Sequence, residues 1–476
     1  MGGFDPRLLE DIVEWLLSQG ADYAEARFHS LRESGFVLMN GGLVGVEREA
    51  RIGVAVRAIV DGGLGFASSV APASREEALS VASRALSAAR TSAAGVKTPV
   101  RMAPARLGRA RYSVVAREDP SDLALEDKVS MVREATTPQQ AGAGGFRVER
   151  YTVAYRESVE EKVIVTSDGA FIESSIPRVA VFYNITASAG DRRANRWFEV
   201  AGSGGLEVLR ENSLEESFSS DVRSLEVALT RAEPAPKGRM DVVVSPEIAG
   251  IMAHEAAGHP SEADRVLGRE AAQAGLSFRT FYRGRIIGSK SVTVIDDPTI
   301  PGSYGFYLYD DEGVAARPRR LYDRGELAEL LHNRETAAVY GVESNGAARA
   351  MDFRSEPIVR MSNTYIAPGD YTFEELVEDV KLGVYIAKYM EWNIDDVRWG
   401  QRYGALEAYL IRGGRLEKPV RGVVLEGTTR ALFASVDAAS RELRFYSGTC
   451  GKGEPAQGVP VWMGGPHLRL RGVEVR

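Results

Sequence analysis

Residues 146–200 read FRVERYTVAYRESVEEKVIVTSDGAFIESSIPRVAVFYNITASAGDRRANRWFEV. β-Branched and aromatic residues recur at alternate positions in five runs: 146–157, 160–166, 171–174, 178–189 and 192–200. Turn residues such as Ser167-Asp168-Gly169 separate them. Period-two alternation punctuated by turns predicts long antiparallel hairpins. Working outward, shorter hairpins are expected at 36–39 with 43–47, around Asn40-Gly41-Gly42, and at 54–60 with 64–68, around Asp61-Gly62-Gly63.

Helical spacing interrupts these strands. Leu8, Leu9, Ile12, Val13, Leu16 and Leu17 predict a helix over 6–18. Ser74-Arg-Glu-Glu77 forms a capping box ahead of Ala78, Val81, Ala82, Ala85 and Ala89. Residues 91–120 read as a connection. Further helices are expected at 123–135 and 214–230, with the glycine-rich 142–145 after the first. Glu233-Pro234-Ala-Pro236-Lys-Gly238 reads as a linker. Beyond it come a strand at 240–244, a long helical stretch at 373–390 and several strands near the end. The fold class expected is α/β (α+β), with an N-terminal domain over 1–235 and a C-terminal domain over 236–476.

A chain of 476 residues exceeds one ordinary core. Its 44% hydrophobic and 26% charged residues are those of a globular protein. The net charge of −7 argues against nucleic-acid binding by bulk electrostatics. Arg317, Arg319 and Arg320 stand among acidic runs and read as solvated surface. The single cysteine, Cys450, excludes an internal disulfide. Neither a leader pattern nor an apolar run of about 20 residues is seen, and the expected location is the cytoplasm.

The chemistry concentrates in Ser245-Pro-Glu-Ile-Ala-Gly-Ile-Met-Ala-His254-Glu255-Ala-Ala-Gly258-His259-Pro260. Ser245 suits an N-cap and Pro246 a first helical position, with the helix expected to reach about residue 257. Zinc-binding helices usually space two histidines four apart on one face. Here the spacing is five, which on a straight α-helix rotates the side chains apart by about 140°. A left-handed Gly258 followed by Pro260 would end the helix and swing His259 back. A catalytic zinc takes three protein ligands and keeps one open position. Spacing leaves the third ligand open among Cys450, Glu262, Asp264, Asp296, Asp297 and His467. Cys450 leads because it lies in the glycine-rich loop Ser447-Gly-Thr-Cys-Gly-Lys-Gly453, although a lone cysteine more often packs as a small hydrophobe.

The chain resembles the TldD/PmbA family of metallopeptidases, also called modulators of DNA gyrase. The resemblance lies in His254-Glu-Ala-Ala-Gly-His259-Pro-Ser-Glu262-Ala-Asp264, Val294-Ile-Asp-Asp-Pro298, Asp310-Asp-Glu-Gly-Val314 and Met361-Ser-Asn-Thr-Tyr-Ile366 with Pro368-Gly-Asp370. It continues in Cys450-Gly-Lys-Gly453 and Gly464-Gly-Pro466, and in the first half in Gly20-Ala-Asp-Tyr-Ala-Glu25 and Val60-Asp-Gly62. It implies one zinc on His254, His259 and Cys450, with Glu255 as general base. It implies a site between two domains, the first supplying substrate cleft and dimer contacts. It also implies extended, unfolded peptide substrates and a dimer with a second copy or with a related subunit lacking the His-Glu motif. Departures are residues 453–457, His467 where threonine is common, and the stretch 392–404, usually Gly- and Phe-rich. Asp296, Asp297, Asp310, Asp311 and Glu312 could orient ligands, but acidic pairs in loops are more often turn formers. Two rival readings are a non-catalytic scaffold subunit and a zinc hydrolase of non-peptide amides.

Overall fold

Asn40 and Gly41 take φ of 49° and 78°, and Asp61 and Gly62 repeat those values, the left-handed pair that a tight hairpin turn requires. They close β1 (Tyr23–Met39) on β2 (Gly42–Val60) and β2 on β3 (Gly63–Val70). The two short hairpins expected here are therefore one long meander. β4 (Arg109–Ser113), β5 (Phe146–Thr166), β6 (Phe171–Ala189) and β7 (Arg192–Ser203) complete a seven-stranded sheet in the order β3-β2-β1-β5-β6-β4, with β7 also on β6. Runs read as separate strands merge in β5 and β6. Pro177 does not break β6 because it falls where one edge changes partner: β4 pairs up to Ser175 and β7 from Arg178. β4 itself lies in the span read as a connection. The structure, a computed structural model, describes residues 4–138, 143–269, 276–453 and 456–476; residue 142 of the glycine-rich stretch and the departures at 454 and 455 lie outside them.

Helices α1 (Arg7–Ser18), α2 (Arg75–Ala93), α3 (Leu125–Ala135), α4 (Glu207–Glu211) and α5 (Leu214–Thr230) flank this sheet. Leu9, Ile12, Val13 and Leu16 of α1 share a core with Ala78, Val81, Ala82 and Ala85 of α2. Ser74 caps α2 by accepting from the Glu77 amide at 3.2 Å.

The second half begins with β8 (Glu233–Pro234) and β9 (Gly238–Val244), followed by α6 (Pro246–Ala253) and α7 (Ala263–Val266). Then come β10 (Val294–Asp296), β11 (Arg319–Asp323), β12 (Glu326–Leu327), α8 (Arg334–Tyr340), β13 (Ala348–Arg349), β14 (Ile358–Val359) and β15 (Asn363–Ile366). The end of the chain supplies α9 (Phe373–Glu378), β16 (Leu382–Ile394), β17 (Gly400–Arg412), β18 (Arg415–Arg421), β19 (Val424–Thr428), α10 (Thr429–Ser435), β20 (Val436–Ala439), β21 (Arg444–Lys452), β22 (Gln457–Gly465) and β23 (Leu468–Val475). One sheet runs β16-β9-β23-β19-β17-β18-β8 with β20 on β23, and another runs β12-β11-β10-β15-β22-β21. The long helix expected at 373–390 is corrected to a six-residue α9 and the strand β16. Val384 and Ile386 alternate into the core, a period of two. A Cβ on Gly383 would stand 2.3 Å from the Asp241 carbonyl, so glycine there admits β16 alongside β9. No described helix is long and apolar enough to cross a membrane.

Every residue of α6 is buried. The helix lies within the core of the second half, against β22 with its Val459 and Val461. A Cβ on Gly250 would stand 2.9 Å from the Gly464 amide nitrogen, so helix and strand backbones meet almost directly. Gly250→Val should therefore wedge α6 off β22. Overpacking of this kind costs about 1–3 kcal/mol, and the urea midpoint should fall. Gly95→Ala, where nothing lies within 4 Å of the added carbon, should leave the midpoint in place.

Candidate metal centre

Ser245 occupies the N-cap position in extended backbone, but its hydroxyl makes no capping bond. The helix does not break at a left-handed Gly258 as its sequence suggested. α6 widens instead into a π-helical turn over His254–Gly258, and the His259 amide donates to the His254 carbonyl. Gly258 is right-handed, with φ −61° and ψ −71°. The wider turn solves the five-residue spacing by lengthening the hydrogen-bonded ring by one residue. Glycine is needed at 258 for room: a Cβ would lie 1.9 Å from the Met361 Sδ.

The turn brings the two imidazoles to 4.9 Å between ring centres at an interplanar angle of 84°. Cys450, nearly two hundred residues later, reaches them from β21. Ligand atoms of His254, His259 and Cys450 lie within 4.8 Å of one another, and all three residues are buried. His259 Nε2 is 3.5 Å from the Cys450 Sγ. Its Nδ1 donates to Glu262 Oε2 at 3.0 Å, so Nε2 is the ring nitrogen that faces the sulfur. The His254 Nδ1 is buried with no hydrogen-bond partner. Burial pushes the Cys450 thiol up, yet His259, His254 and Arg360 hold it well below its ordinary value. Burial likewise opposes charge on His259, but Cys450 and Glu262 raise it. Two imidazoles and a thiolate converging on one point, with a buried nitrogen lacking a partner, are a donor set that fits a tetrahedral divalent metal.

Glu255, beside His254, accepts from Arg398 Nη1 at 2.7 Å and from Trp392 Nε1 at 3.3 Å. Burial pushes its carboxyl up, but Arg398, His259 and His254 hold it below its ordinary value, so it is an ionised acceptor. The ligands and Glu255 line a cavity of about 290 Å³ walled by Trp197, Tyr389, Trp392 and Tyr446.

The remaining candidates lie elsewhere. Glu262 binds the far nitrogen of His259 and pairs with Lys452 at 3.3 Å. Asp264 pairs with Lys452 at 2.7 Å. Asp296 accepts from Arg319, the Ser362 amide and Thr364. Arg319 is fully buried, which corrects its reading as solvated surface; its partner Asp296 makes the burial tolerable. Asp297 caps the Thr299 amide at 2.8 Å. Asp310 accepts three amides, of Glu312, Val314 and Ala348. Asp311 pairs with Lys162 at 2.9 Å, and Glu312 with Arg57 at 2.7 Å. His467 Nε2 lies 3.3 Å from the Tyr385 hydroxyl.

Sequence reasoning passed over Lys452, Arg360, Trp392 and Arg398. The period of two on β21 was the available signal for Lys452, since it puts Cys450 and Lys452 on one face. Trp392 and Arg398 sit in the stretch that departs from the resembling family. Nothing local marks Arg360, which donates to the Cys450 carbonyl.

Profiles of the PmbA/TldA metallopeptidases match the chain in three parts: domain 1 over 24–89, the central domain over 118–232 and the C-terminal domain over 237–476. A metalloprotease of Methanothermobacter thermautotrophicus is 34% identical over 95% of both chains. A zinc metalloprotease TldD homolog of Saccharolobus solfataricus is 32% identical over 50% of this chain and 52% of its own. The crystal structure of TldE from Thermococcus kodakarensis superposes with a TM-score of 0.74 at 17% identity, over 98% of this chain and 99% of that one, a likeness of fold.

Glu262 fixes the orientation and basicity of His259, a role whose loss typically costs 10- to 100-fold in metal affinity. Glu262→Gln should therefore weaken zinc binding by about that factor in competition with a chromogenic chelator, with the circular dichroism spectrum unchanged.

Proposed function

The chain belongs to the PmbA/TldA metallopeptidase family, and from that premise we propose that it is a zinc-dependent peptidase. Its metal would be held by His254, His259 and Cys450, one per subunit, with Glu255 as general base. The observation that carries the reading is the meeting of those three ligand atoms within 4.8 Å, from two segments far apart in sequence. Relatives named metalloproteases and a zinc metalloprotease support it. Zinc bound there would supply Lewis acidity and a water acidified toward a pKa of about 7.

Glu255 acts on that water. Its carboxylate would take the proton of the attacking water and hand it to the departing amine. Trp392 and Arg398 aim the carboxylate. Glu262 holds His259 in the tautomer whose Nε2 lone pair faces the site, and Arg360 anchors the Cys450 backbone.

The substrate is an extended, unfolded peptide. β7 pairs only with β6 and β21 only with β22 among the described strands, so two sheet edges border the cavity. Ser447 of β21 bridges them, bonding both the amide and the carbonyl of Ala201. An extended backbone can add to such an edge, largely independent of sequence. The N-terminal half, 1–235, lends the β7 edge and the dimer contacts, and 236–476 lends the metal site. The partner is a second copy or a related subunit lacking the His-Glu motif, and a reducing cytoplasm suits the single thiol.

Glu255→Ala should keep about one zinc per chain while turnover on unfolded peptides falls by the 10²–10⁴-fold typical of a lost general base. Loss of zinc along with activity would make Glu255 a ligand instead. Cys450→Ala should lose both zinc and turnover, read by elemental analysis beside circular dichroism. In the wild-type protein the thiol should resist alkylation until a chelator is added.

A further inference from the structure

We propose that the cavity at Arg349 is a substrate subsite that receives a carboxylate of the peptide, carried a few residues from the scissile bond. This rests on the peptidase reading above and names the chemistry that its preferred substrates carry.

Arg349 is only 7% exposed, and no carboxylate among the described residues pairs with it. Arg178, on the same cavity, has Glu160 at 2.8 Å. Nη1 of Arg349 donates to the carbonyls of Met361 and Pro460 at 2.7 and 2.9 Å. Nε and Nη2 have no hydrogen-bond partner among the described residues, and neither is sealed within protein. These two nitrogens point their N–H bonds the same way and match the two oxygens of one carboxylate. Arg57 uses the same pair of nitrogens on Glu25, at 2.8 and 2.7 Å. Burial pushes the Arg349 guanidinium below its ordinary range, and Tyr307 and Glu160 offset this only in part. A buried ion without a counter-charge is costly; here the ligand supplies it.

The cavity measures about 220 Å³, and five cationic side chains line it against two carboxylates. One water takes about 30 Å³ in the liquid, so a carboxylate enters with part of the residue that bears it. Arg349 also borders a cleft of about 20 Å³, room for a single water. The mount is built. The amides on either side of Arg349, of Ala348 and Ala350, donate to Asp310 Oδ2 at 3.0 Å and to Asp311 Oδ2 at 2.7 Å. β13, which carries Arg349, pairs with β14. The acidic pair at 310–311, which the metal site does not use, thus fixes the backbone that presents the guanidinium.

The subsite adjoins the reactive centre. Thr449, the residue before Cys450, lines both this cavity and the metal-site cavity. Pro460, whose carbonyl Arg349 holds, stands opposite Thr449 in the β21–β22 pair. Cα spacings along and across such a pair put the guanidinium within about 15 Å of the Cys450 Cα. An extended chain covers that span in about four residues. The carboxylate is therefore the chain terminus or an Asp or Glu side chain at that remove from the cut. Strand edges bind a backbone in any register; a charge received at one fixed place selects among registers.

The test measures binding to zinc-loaded, full-length Glu255→Ala protein, in which turnover is suppressed. The probes are N-terminally labelled Ser/Ala peptides followed by fluorescence anisotropy: free acid, C-terminal amide, and amides with one Glu walked along the chain. The free acid, or the amide with Glu at one position, should bind about 10- to 100-fold tighter than the plain amide, the range of one hydrogen bond to a charged group. A gain on the free acid alone assigns Arg349 the terminal carboxylate, and a gain at one Glu position assigns it a side chain. Adding Arg349→Gln should bring that ratio close to one without weakening the plain amide. Arg349→Lys, a point charge without the fork, should keep only part of the ratio, and it decides if Arg349→Gln does not fold. Equal binding of all forms, or a ratio unmoved by these substitutions, overturns the proposal. If the wild-type protein cleaves none of the peptides, the peptidase reading fails, and the binding ratios still decide for Arg349.

Discussion

α6 meets β22 backbone to backbone at Gly250 and Gly464, and the candidate metal centre inherits its geometry from that contact. The helix has no exposed face, so it cannot shift without displacing the core around it, which is close-packed and resists such movement. Its position along β22 sets where the π-helical turn begins. β22 in turn pairs with β21 in a register that places Cys450 opposite Val459. One close approach thus fixes both histidines and the cysteine in a single frame, although the residues that bear them are far apart in sequence. Met361 supports the same turn from below, where Gly258 leaves room for its sulfur.

Around this frame the chain spends buried charge rather than apolar area. Arg196 of β7, almost without exposure, bonds Asp221 of α5, Glu247 of α6 and the Tyr389 carbonyl of β16 at 3.1, 2.6 and 2.9 Å. Arg57 of β2 joins Glu25 of β1 to Glu312 at 2.7 Å. An unpaired ion in such surroundings costs several kcal/mol, so each arginine is tolerated only when elements from both halves of the chain are in place. These pairs add little net stability over apolar packing. What they define is registry: the β7 edge stands beside β21 and not some other distance away, and the cavity width follows.

Local signals were legible in the sequence and long-range ones were not. Asn40-Gly41 and Asp61-Gly62 announced their turns because two consecutive left-handed residues leave few alternatives. The α1 span followed from apolar spacing alone. The 373–390 stretch misled because Val384, Tyr385 and Ile386 fit either period over so short a run, and pairing with β9 decided between them. At the site, the five-residue gap was correctly a difficulty for a straight helix. A π-helical turn resolved it where a glycine break was expected, and the choice depends on Met361, a hundred residues on. Arg319 looked like surface because its partner Asp296 is invisible until the sheet is assembled. Lys452 was within the quoted motif and on the face of Cys450, and its burial beside Glu262 and Asp264 shows what it pairs with.

The site therefore has two layers with different origins. The ligands and the groups that orient them, Glu262, Lys452 and Arg360, come from α6, its following turns and the central strands, where any movement disturbs the core. The partners of Glu255, Trp392 and Arg398, come from the β16–β17 hairpin, which meets the site at its tip. That hairpin holds the stretch that departs from the resembling family's usual sequence. Through Trp392 and Arg398 that hairpin touches Glu255. In the proposed peptidase the geometry of the three ligands is thus tied to backbone contacts that allow few alternatives, and the surroundings of Glu255 to side chains on one hairpin.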